Sequence, residues 1–147
     1  MHKFTTSVFI NRSQQAVFDF ISDPANKPKW QKNVMHGEWT STSKPGVGST
    51  YKVAVKFLGR NLETLFKITH WDPPNLYGYK STGLSFPMEI LESVYSLTPK
   101  ENGTLLTYQG QVQIAGIVRF LENSVRKQDE AAESSNLETA KHLLEAG

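Results

Sequence analysis

The sequence contains no cysteine among its 147 residues. This absence excludes disulfide bonds, thiolate nucleophiles and thiolate metal ligands. Histidine is scarce as well, and no phosphate-binding loop or nucleophile–base pair is recognisable. The four histidines have no spacing typical of a metal site: His2, His36, His70 and His142. We therefore expect neither a metal ion nor another cofactor.

Long hydrophobic runs are also missing, so we expect no stable membrane insertion. Residues 1–6 lack the apolar core of a signal peptide, which predicts a cytoplasmic protein. No charge sign dominates: 16 Lys and Arg against 14 Asp and Glu give a net charge of +2, and the basic residues are scattered. This distribution does not favour a nucleic-acid partner. The length predicts one domain over residues 1–147, and the oligomeric state stays open.

The first third of the chain predicts a strand, a short helix and a second strand. Apolar and polar residues alternate over residues 3–10, as in a half-buried strand. Ser13 is a suitable N-cap for a short helix that ends before Pro24. A strand over residues 34–40 precedes the turn signal Pro45-Gly46. The apolar face of the short helix is predicted to comprise Ala16, Val17, Phe20 and Ile21.

A first hairpin is predicted around residue 59. A two-residue turn at Gly59-Arg60 would place Tyr51 opposite Ile68. On the other face it would place Lys56 opposite Glu63, an attractive pair. The apolar residues then fall on one side of the hairpin, which specifies its register.

A second hairpin is predicted at Asn102-Gly103, which is a strong turn dipeptide. It would place Tyr95 opposite Gly110 and Leu91 opposite Ile114. A further strand over residues 76–79 lies between the two hairpins. The hairpins agree on an antiparallel sheet with one apolar face.

From about Gly116 to the end, the sequence predicts one uninterrupted helix. About 30 residues would span about 45 Å at 1.5 Å per residue. Such a helix is stable only when its apolar stripe is buried, and the apolar face of the sheet is the available partner. A cavity is expected where the helix crosses the sheet. The predicted stripe comprises Leu121, Val125, Gln128, Ala132, Thr139 and Leu143.

The order of these parts and several short motifs resemble the START-like (SRPBCC) superfamily, and within it the polyketide cyclase/dehydrase branch. The motifs are Ser7–Asn11 before Val17-Phe18, Ser22-Asp23-Pro24 before Lys29-Trp30, Gly46–Tyr51, Asp72-Pro73-Pro74 before Tyr77, Tyr95–Pro99 and Gly103-Thr104. The resemblance implies an α+β helix-grip fold. In this fold a curved seven-stranded antiparallel sheet wraps around a long C-terminal helix, with one or two short helices after the first strand. The iron-binding oxygenase branch is set aside because the histidines lack ligand spacing.

The predicted pocket lining is apolar and aromatic with few polar groups, as is typical of small-molecule sites. Each of these residues also suits a packed core, and each tyrosine could either orient a ligand or reach water. The predicted ligand contacts are Trp30, Tyr51, Val53, Val55, Phe57, Thr64, Phe66, Tyr77, Tyr79, Leu91, Ser93, Tyr95, Leu106, Tyr108, Val112, Leu121 and Val125.

Two residues are candidate catalytic groups. Strand alternation from Leu91 places Glu89 on the inner face, where its pKa would be raised and it could move a proton. Pro87 leaves open that Glu89 turns outward at an edge or bulge. Tyr108 is the other candidate.

The predicted function is binding of a small, mostly hydrophobic ligand such as a lipid, an isoprenoid or an aromatic polyketide-like molecule. The first alternative is a polyketide cyclase/dehydrase-type enzyme that uses Tyr and Glu side chains for acid–base chemistry. The second alternative is a protein-interaction module similar to chaperone co-factors. The fold supports all three classes, so the choice depends on the site.

Overall fold

The computed structural model describes residues 2–57, 59–82, 88–114 and 116–147. Within these residues, seven antiparallel strands form one sheet in the order β1-β7-β6-β5-β4-β3-β2. The long helix α3 packs against β1 and against the shorter helices. The predicted α+β helix-grip fold is confirmed. The elements are β1 (His2–Ile10), α1 (Gln14–Ile21), a 3₁₀ turn (Pro24–Asn26), α2 (Lys27–Trp30), β2 (Val34–Trp39), β3 (Thr50–Phe57), β4 (Arg60–Asp72), β5 (Leu76–Thr82), β6 (Met88–Lys100), β7 (Gly103–Ile114), a 3₁₀ segment (Gly116–Leu121) and α3 (Glu122–Ala146).

The segment after β1 begins with the predicted cap. The Ala16 backbone N–H donates to the Ser13 hydroxyl at 3.2 Å, which confirms Ser13 as the N-cap of α1. The buried face of α1 differs slightly from the prediction. It comprises Val17, Phe18 and Ile21, and Phe20 is half-buried.

A close backbone contact fixes the position of the 3₁₀ turn. A Cβ atom added at Gly37 in β2 would lie 2.3 Å from the Pro24 carbonyl oxygen, so only glycine allows this approach. The turn therefore rests directly on β2. Because α2 follows the turn immediately, this contact also positions Lys27 and Trp30 over the sheet.

Both predicted hairpins form, but each register differs from the prediction by two residues. Arg60 pairs with Phe57 and belongs to β4, so Tyr51 lies opposite Phe66 instead of Ile68. Since the difference is even, each side chain keeps its predicted face. The predicted pairing of Lys56 with Glu63 is nevertheless wrong.

In the second hairpin the predicted turn pair is wrong because Gly103 belongs to β7. Gly103 pairs with Lys100, and Tyr95 lies opposite Tyr108 instead of Gly110. A Cβ atom at Gly103 would lie 2.3 Å from the Ile10 carbonyl oxygen. Glycine is therefore required where β7 meets the end of β1, and the turn falls one residue earlier.

A bulge in β6 overturns the inward placement of Leu91 and Glu89. The register between β6 and β7 shifts between Ile90 and Glu92, which leaves Leu91 as the extra residue. Ile90 packs against the core in its place. Glu89 lies opposite Gln113, whose side chain is exposed, and so Glu89 faces outward. Pro87, the candidate cause of such a turn, lies outside the described residues.

The C-terminal segment is divided into a short 3₁₀ segment and α3, whose 25 residues span about 37 Å. The predicted buried stripe is wrong at Leu121 and Leu143, which are 44% and 43% exposed, whereas its member Ala132 does face inward and lines the cavity described below. Apolar residues are too sparse on α3 for their spacing alone to identify the packed face. The residues that α3 buries are Asn136, Leu137, Ala140 and Leu144.

Candidate ligand-binding site

A cavity of about 250 Å³ lies between the sheet and the helices α2 and α3. One wall is apolar and aromatic, and the helical side carries charged and amide groups. The apolar lining consists of Val34, Tyr51, Val53, Val55, Phe66, Tyr79, Ile90 and Ala132. The polar lining consists of Lys27, Gln31, Lys32, Asn33, Lys56, Asp129, Glu133 and Asn136.

Among the described residues, several predicted ligand contacts line this cavity together: Tyr51, Val53, Val55, Phe66 and Tyr79. They lie on β3, β4 and β5, and the even register difference between β3 and β4 left the inward faces of these two strands unchanged. The Tyr51 and Phe66 rings stack on each other with centroids 5.3 Å apart, and the Tyr79 ring meets both of them edge-to-face, so the three rings form one packed aromatic cluster.

Other predicted contacts lie in the packed core beside the cavity. Tyr77 and Tyr95 are fully buried and stack on each other with centroids 5.8 Å apart. Trp30 meets Tyr95 edge-to-face at 5.9 Å. Leu106 and Val112 are buried in β7. Of these side chains, Tyr77 and Tyr95 contact the Tyr79 ring of the cavity lining.

The remaining predicted contacts with described side chains are not part of the cavity lining. Thr64 is half-buried and lies opposite Val53, while Leu91 is the bulge residue. Leu121 is largely exposed and Val125 is half-buried, and neither is part of the cavity lining. The Phe57 side chain lies outside the described part of the structure.

Tyr108, the second candidate catalytic residue, contacts Ser93. The two hydroxyl oxygens are 3.2 Å apart, and both residues are buried in the core. Burial raises the pKa of Tyr108 above its ordinary value, so its phenol is neutral. In this position the Tyr108 hydroxyl group is the hydrogen-bond partner of the buried Ser93 hydroxyl group.

Lys27 is the most unusual residue of the site, and the sequence did not reveal it. Its side chain is 1% exposed, and its Nζ atom has no hydrogen-bond partner among the described residues. Nζ lies over four aromatic rings, at 4.6 Å from the Tyr79 centroid, 5.2 Å from Tyr51, 5.6 Å from Tyr77 and 5.8 Å from Trp30. These ring faces partly compensate an ammonium group. Burial still lowers the pKa of Lys27 to about 7, although the nearby Glu133 carboxyl opposes this change.

Glu133 contributes a carboxyl group to the same cavity from α3. The residue is half-buried, but its Oε2 atom is buried and has no hydrogen-bond partner within the described chain. Burial raises the pKa of Glu133 to about 8; Asp129, one turn earlier on α3, raises it further and Lys27 opposes the rise. The pKa of Asp129 is itself raised to about 6 by burial. At neutral pH the cavity thus holds an amine and a carboxyl group that can each gain or lose a proton.

Two spacings in the sequence could have indicated these residues. In a 3₁₀ helix residues three apart share a face, and Pro24, Lys27 and Trp30 are buried at this spacing. On α3, Asp129, Glu133 and Asn136 follow one another at helical spacing and all line the cavity. A polar row of this kind is easily taken for a solvated helix face.

The described residues also bear on metal binding and membrane insertion. Among them, no cluster of three or more His, Asp or Glu side chains is positioned to hold a metal ion. The described helices also include none that is long and apolar enough to cross a membrane.

The fold is shared with many solved proteins of low sequence identity. TTHA0849 from Thermus thermophilus has a TM-score of 0.80 at 15% identity, covering 99% of this chain and 98% of that protein. The di-domain ARO/CYC StfQ from the steffimycin biosynthetic pathway has a TM-score of 0.80 at 15% identity, and the match covers 98% of this chain and 50% of StfQ. The Aha1 dimer from Colwellia psychrerythraea has a TM-score of 0.66 at 20% identity, covering 100% of this chain and 98% of that chain.

These identities establish the common fold alone. No curated protein sequence matches this chain. The family model described as polyketide cyclase/dehydrase and lipid transport, by contrast, matches residues 1–143. This match confirms the resemblance noted in the sequence, and the chain belongs to the polyketide cyclase/dehydrase and lipid transport family.

Proposed function

We propose that this protein binds a small, mainly apolar molecule in the cavity between the sheet and α3. The observation that carries the proposal is the pairing of an aromatic and aliphatic wall with two buried ionisable groups that lack hydrogen-bond partners among the described residues, Lys27 and Glu133. Buried polar atoms are normally hydrogen-bonded, so an unpartnered amine and an unpartnered carboxyl oxygen favour a ligand that supplies a hydrogen-bond partner to each.

The size of the cavity favours a ligand of one or two rings. Its volume of about 250 Å³ lies just below the usual range for ligand sites, which begins at about 300 Å³. An adjoining depression of about 490 Å³ shares Lys32, Asn33 and Ala132 with the cavity. A longer ligand, such as a lipid or a polyketide-like chain, would extend into this depression.

The polar groups specify what the ligand must carry. A hydroxyl or carbonyl oxygen near Lys27 accepts a hydrogen bond from the amine, and a hydroxyl hydrogen can be donated to Glu133. The Tyr51, Phe66 and Val53 side chains of the wall offer an apolar contact surface for an aromatic ring. A phenol fused to a second ring therefore combines the required features, and 2-naphthol is a suitable probe.

Native mass spectrometry of the purified protein tests the proposal first. A bound small molecule can be released, identified and compared with these requirements. In parallel, 2-naphthol should raise the unfolding temperature progressively with concentration, as expected for a ligand that binds only the folded state. The absence of both a bound molecule and stabilisation by 2-naphthol or related phenols would contradict the proposal.

A second candidate function is an enzyme of the cyclase/dehydrase type, and the altered pKa values of Lys27 and Glu133 favour it. A carboxyl group with a pKa of about 8 is mostly protonated at neutral pH and can donate a proton to a carbonyl oxygen. A partly neutral amine can accept one. The match to the ARO/CYC StfQ establishes a common fold and does not by itself support an enzyme.

The two candidates differ in the fate of the bound molecule. A binding protein returns its ligand unchanged, whereas an enzyme converts it. With an enzyme, Glu133→Gln should remove conversion while the protein still binds the ligand. Recovery of an unchanged ligand after long incubation would exclude the enzyme for that ligand.

A further inference from the structure

We propose that the amine of Lys27 is a nucleophile that forms an imine with an aldehyde or ketone group of a ligand in the cavity. This inference rests on the proposed function, because a carbonyl compound must first bind there. It narrows the ligand class to apolar molecules with a reactive carbonyl group.

The position of Lys27 supports this role. The two aromatic rings nearest to its Nζ atom, Tyr79 at 4.6 Å and Tyr51 at 5.2 Å, both belong to the cavity lining, as Lys27 itself does. The Nζ atom itself is buried against these rings, one side-chain rotation away from the cavity that Lys27 lines. No hydrogen bond to another described residue holds Nζ in place, and the flexible side chain can turn towards a bound carbonyl.

A purely structural role does not explain this lysine. Lysine is almost never fully buried unless it is paired, and Lys27 is 1% exposed without a hydrogen-bond partner in the described chain. A methionine of similar length would fill the same space without desolvating a charge. Burial favours the uncharged form of an amine, and only the uncharged form reacts as a nucleophile. A reactive role therefore explains why this amine is buried.

Because of its surroundings, a large fraction of the Lys27 amine is uncharged near neutral pH. Burial lowers its pKa to about 7, whereas an exposed lysine at pH 7 has roughly a thousandfold smaller fraction of free amine. The groups that face it are the carboxyl of Glu133 on α3 and the phenols of Tyr51, Tyr77 and Tyr79. Asp129, Lys32 and Lys56 lie elsewhere in the cavity lining. Burial raises the pKa of the three phenols, so they stay neutral.

The reaction balances with the groups present. The lone pair of the neutral Lys27 amine attacks the carbonyl carbon, a C–N bond forms as the C=O π bond opens, and one proton of the nitrogen passes to the carbonyl oxygen to give a neutral carbinolamine. Glu133 in its protonated form then donates a proton to the hydroxyl group, which leaves as water. The nitrogen lone pair forms the C=N bond, and the nitrogen proton returns to the Glu133 carboxylate. Amine and carbonyl have become imine and water, and no oxidant or reductant is needed.

Reductive trapping with benzaldehyde tests the proposal. The full-length protein is incubated at pH 7 with benzaldehyde and sodium cyanoborohydride, which reduces an imine to a stable secondary amine. We expect one adduct per chain, with a mass gain equal to benzaldehyde less one oxygen atom, and peptide mapping should place it on Lys27. Lys27→Met should remove the adduct, leaving only the slow background of surface lysines. Lys29→Met, two residues away at an exposed position, should leave it unchanged.

The variant Glu133→Gln tests whether Glu133 donates a proton during imine formation or only packs near Lys27. Trapping by this variant should be slower by about tenfold or more, because general acid catalysis contributes at least that much. The wild-type rate of trapping should rise as Lys27 loses its proton near pH 7 and fall as Glu133 loses its proton near pH 8. Thermal unfolding of each variant confirms that it is folded.

The outcomes separate this inference from the proposed function. Modification spread over surface lysines, or equal trapping in Lys27→Met, overturns the imine. Stabilisation by 2-naphthol without trapping of benzaldehyde also overturns it, and leaves non-covalent binding intact. If neither compound binds, both proposals fail.

Discussion

Lys27 and Glu133 line one cavity from two different helices, and each has a buried terminal atom with no hydrogen-bond partner among the described residues. One would be a cation and the other an anion in water. Burial favours the neutral form of both, which lowers the pKa of Lys27 to about 7 and raises that of Glu133 to about 8. The two groups therefore titrate close together, and the stability of the protein should depend on this.

We predict a minimum of stability between about pH 7 and pH 8. The folded protein holds an extra proton on Glu133 between pH 4.5 and about 8, so the free energy of unfolding falls as the pH rises through this range. Asp129 adds to the fall between pH 3.8 and about 6. The unfolded chain holds an extra proton on Lys27 between about pH 7 and 10.5, so the free energy of unfolding then rises.

Urea denaturation at several pH values from 5 to about 9.5 measures this curve; above this range the buried tyrosines also contribute. In Glu133→Gln most of the decrease in the free energy of unfolding below pH 7 should disappear. In Lys27→Met the increase in the free energy of unfolding above pH 8 should disappear. Wild-type and variant curves of the same shape would show that the two groups are not buried as described.

Lys27→Met should stabilise the protein near neutral pH. The substitution keeps the length of the side chain and removes the desolvated amine, so the free energy of unfolding should increase by about 1–4 kcal/mol. Lys29→Met changes an exposed residue of the same helix and should have an effect within about 0.5 kcal/mol. A clear destabilisation by Lys27→Met would mean that Lys27 has a stabilising partner.

Gly37→Ala should destabilise the protein by about 2 kcal/mol or more, since the new methyl group would collide with the Pro24 carbonyl oxygen at 2.3 Å. Gly46→Ala is the matched control, because a Cβ atom there meets nothing within 4 Å. Thermal and urea unfolding of both variants give the comparison. Equal stabilities would indicate that the turn before α2 does not rest on β2.

Tyr108→Phe tests the catalytic role expected from the sequence against the position of this residue. The variant removes the hydroxyl group that contacts Ser93 at 3.2 Å, so we expect a loss of about 1 kcal/mol in stability. Affinity for 2-naphthol should not change, because Tyr108 is not part of the cavity lining. A large loss of ligand affinity with unchanged stability would place the Tyr108 hydroxyl group in the site after all.

The sequence predicts the fold well, because alternation and capping are local signals. The strand over residues 2–10 and the Ser13 cap depend on neighbouring residues alone. The turn predicted at Asn102-Gly103 is misplaced because Gly103 is needed for a contact with Ile10, which is far away in the sequence. No local pattern contains such information.

The aromatic side of the site was also predictable, whereas its ionisable side was not. Tyr51 and Phe66 follow strand alternation, and an even difference in register does not change their face. The bulge at Leu91 reverses the faces beyond it and takes Glu89 out of the cavity. Lys27 and Glu133 are charged residues that usually remain in water, so their burial depends on the packing of α2 and α3.

The central claim is that the cavity under α3 binds a small molecule, and two neighbouring alanines test it most directly. Ala132 lines the cavity, whereas Ala131 is exposed on the same helix and borders only the adjoining depression, which a ligand as short as 2-naphthol does not need. The measurement is the Kd of 2-naphthol, by isothermal titration calorimetry, for the wild type, Ala132→Trp and Ala131→Trp. We predict that Ala132→Trp fills the cavity and weakens binding by about tenfold or more, with an intact fold and with Ala131→Trp close to wild type. Equal affinities for all three proteins would contradict the account and favour a role of this domain that does not use the cavity, such as protein interaction.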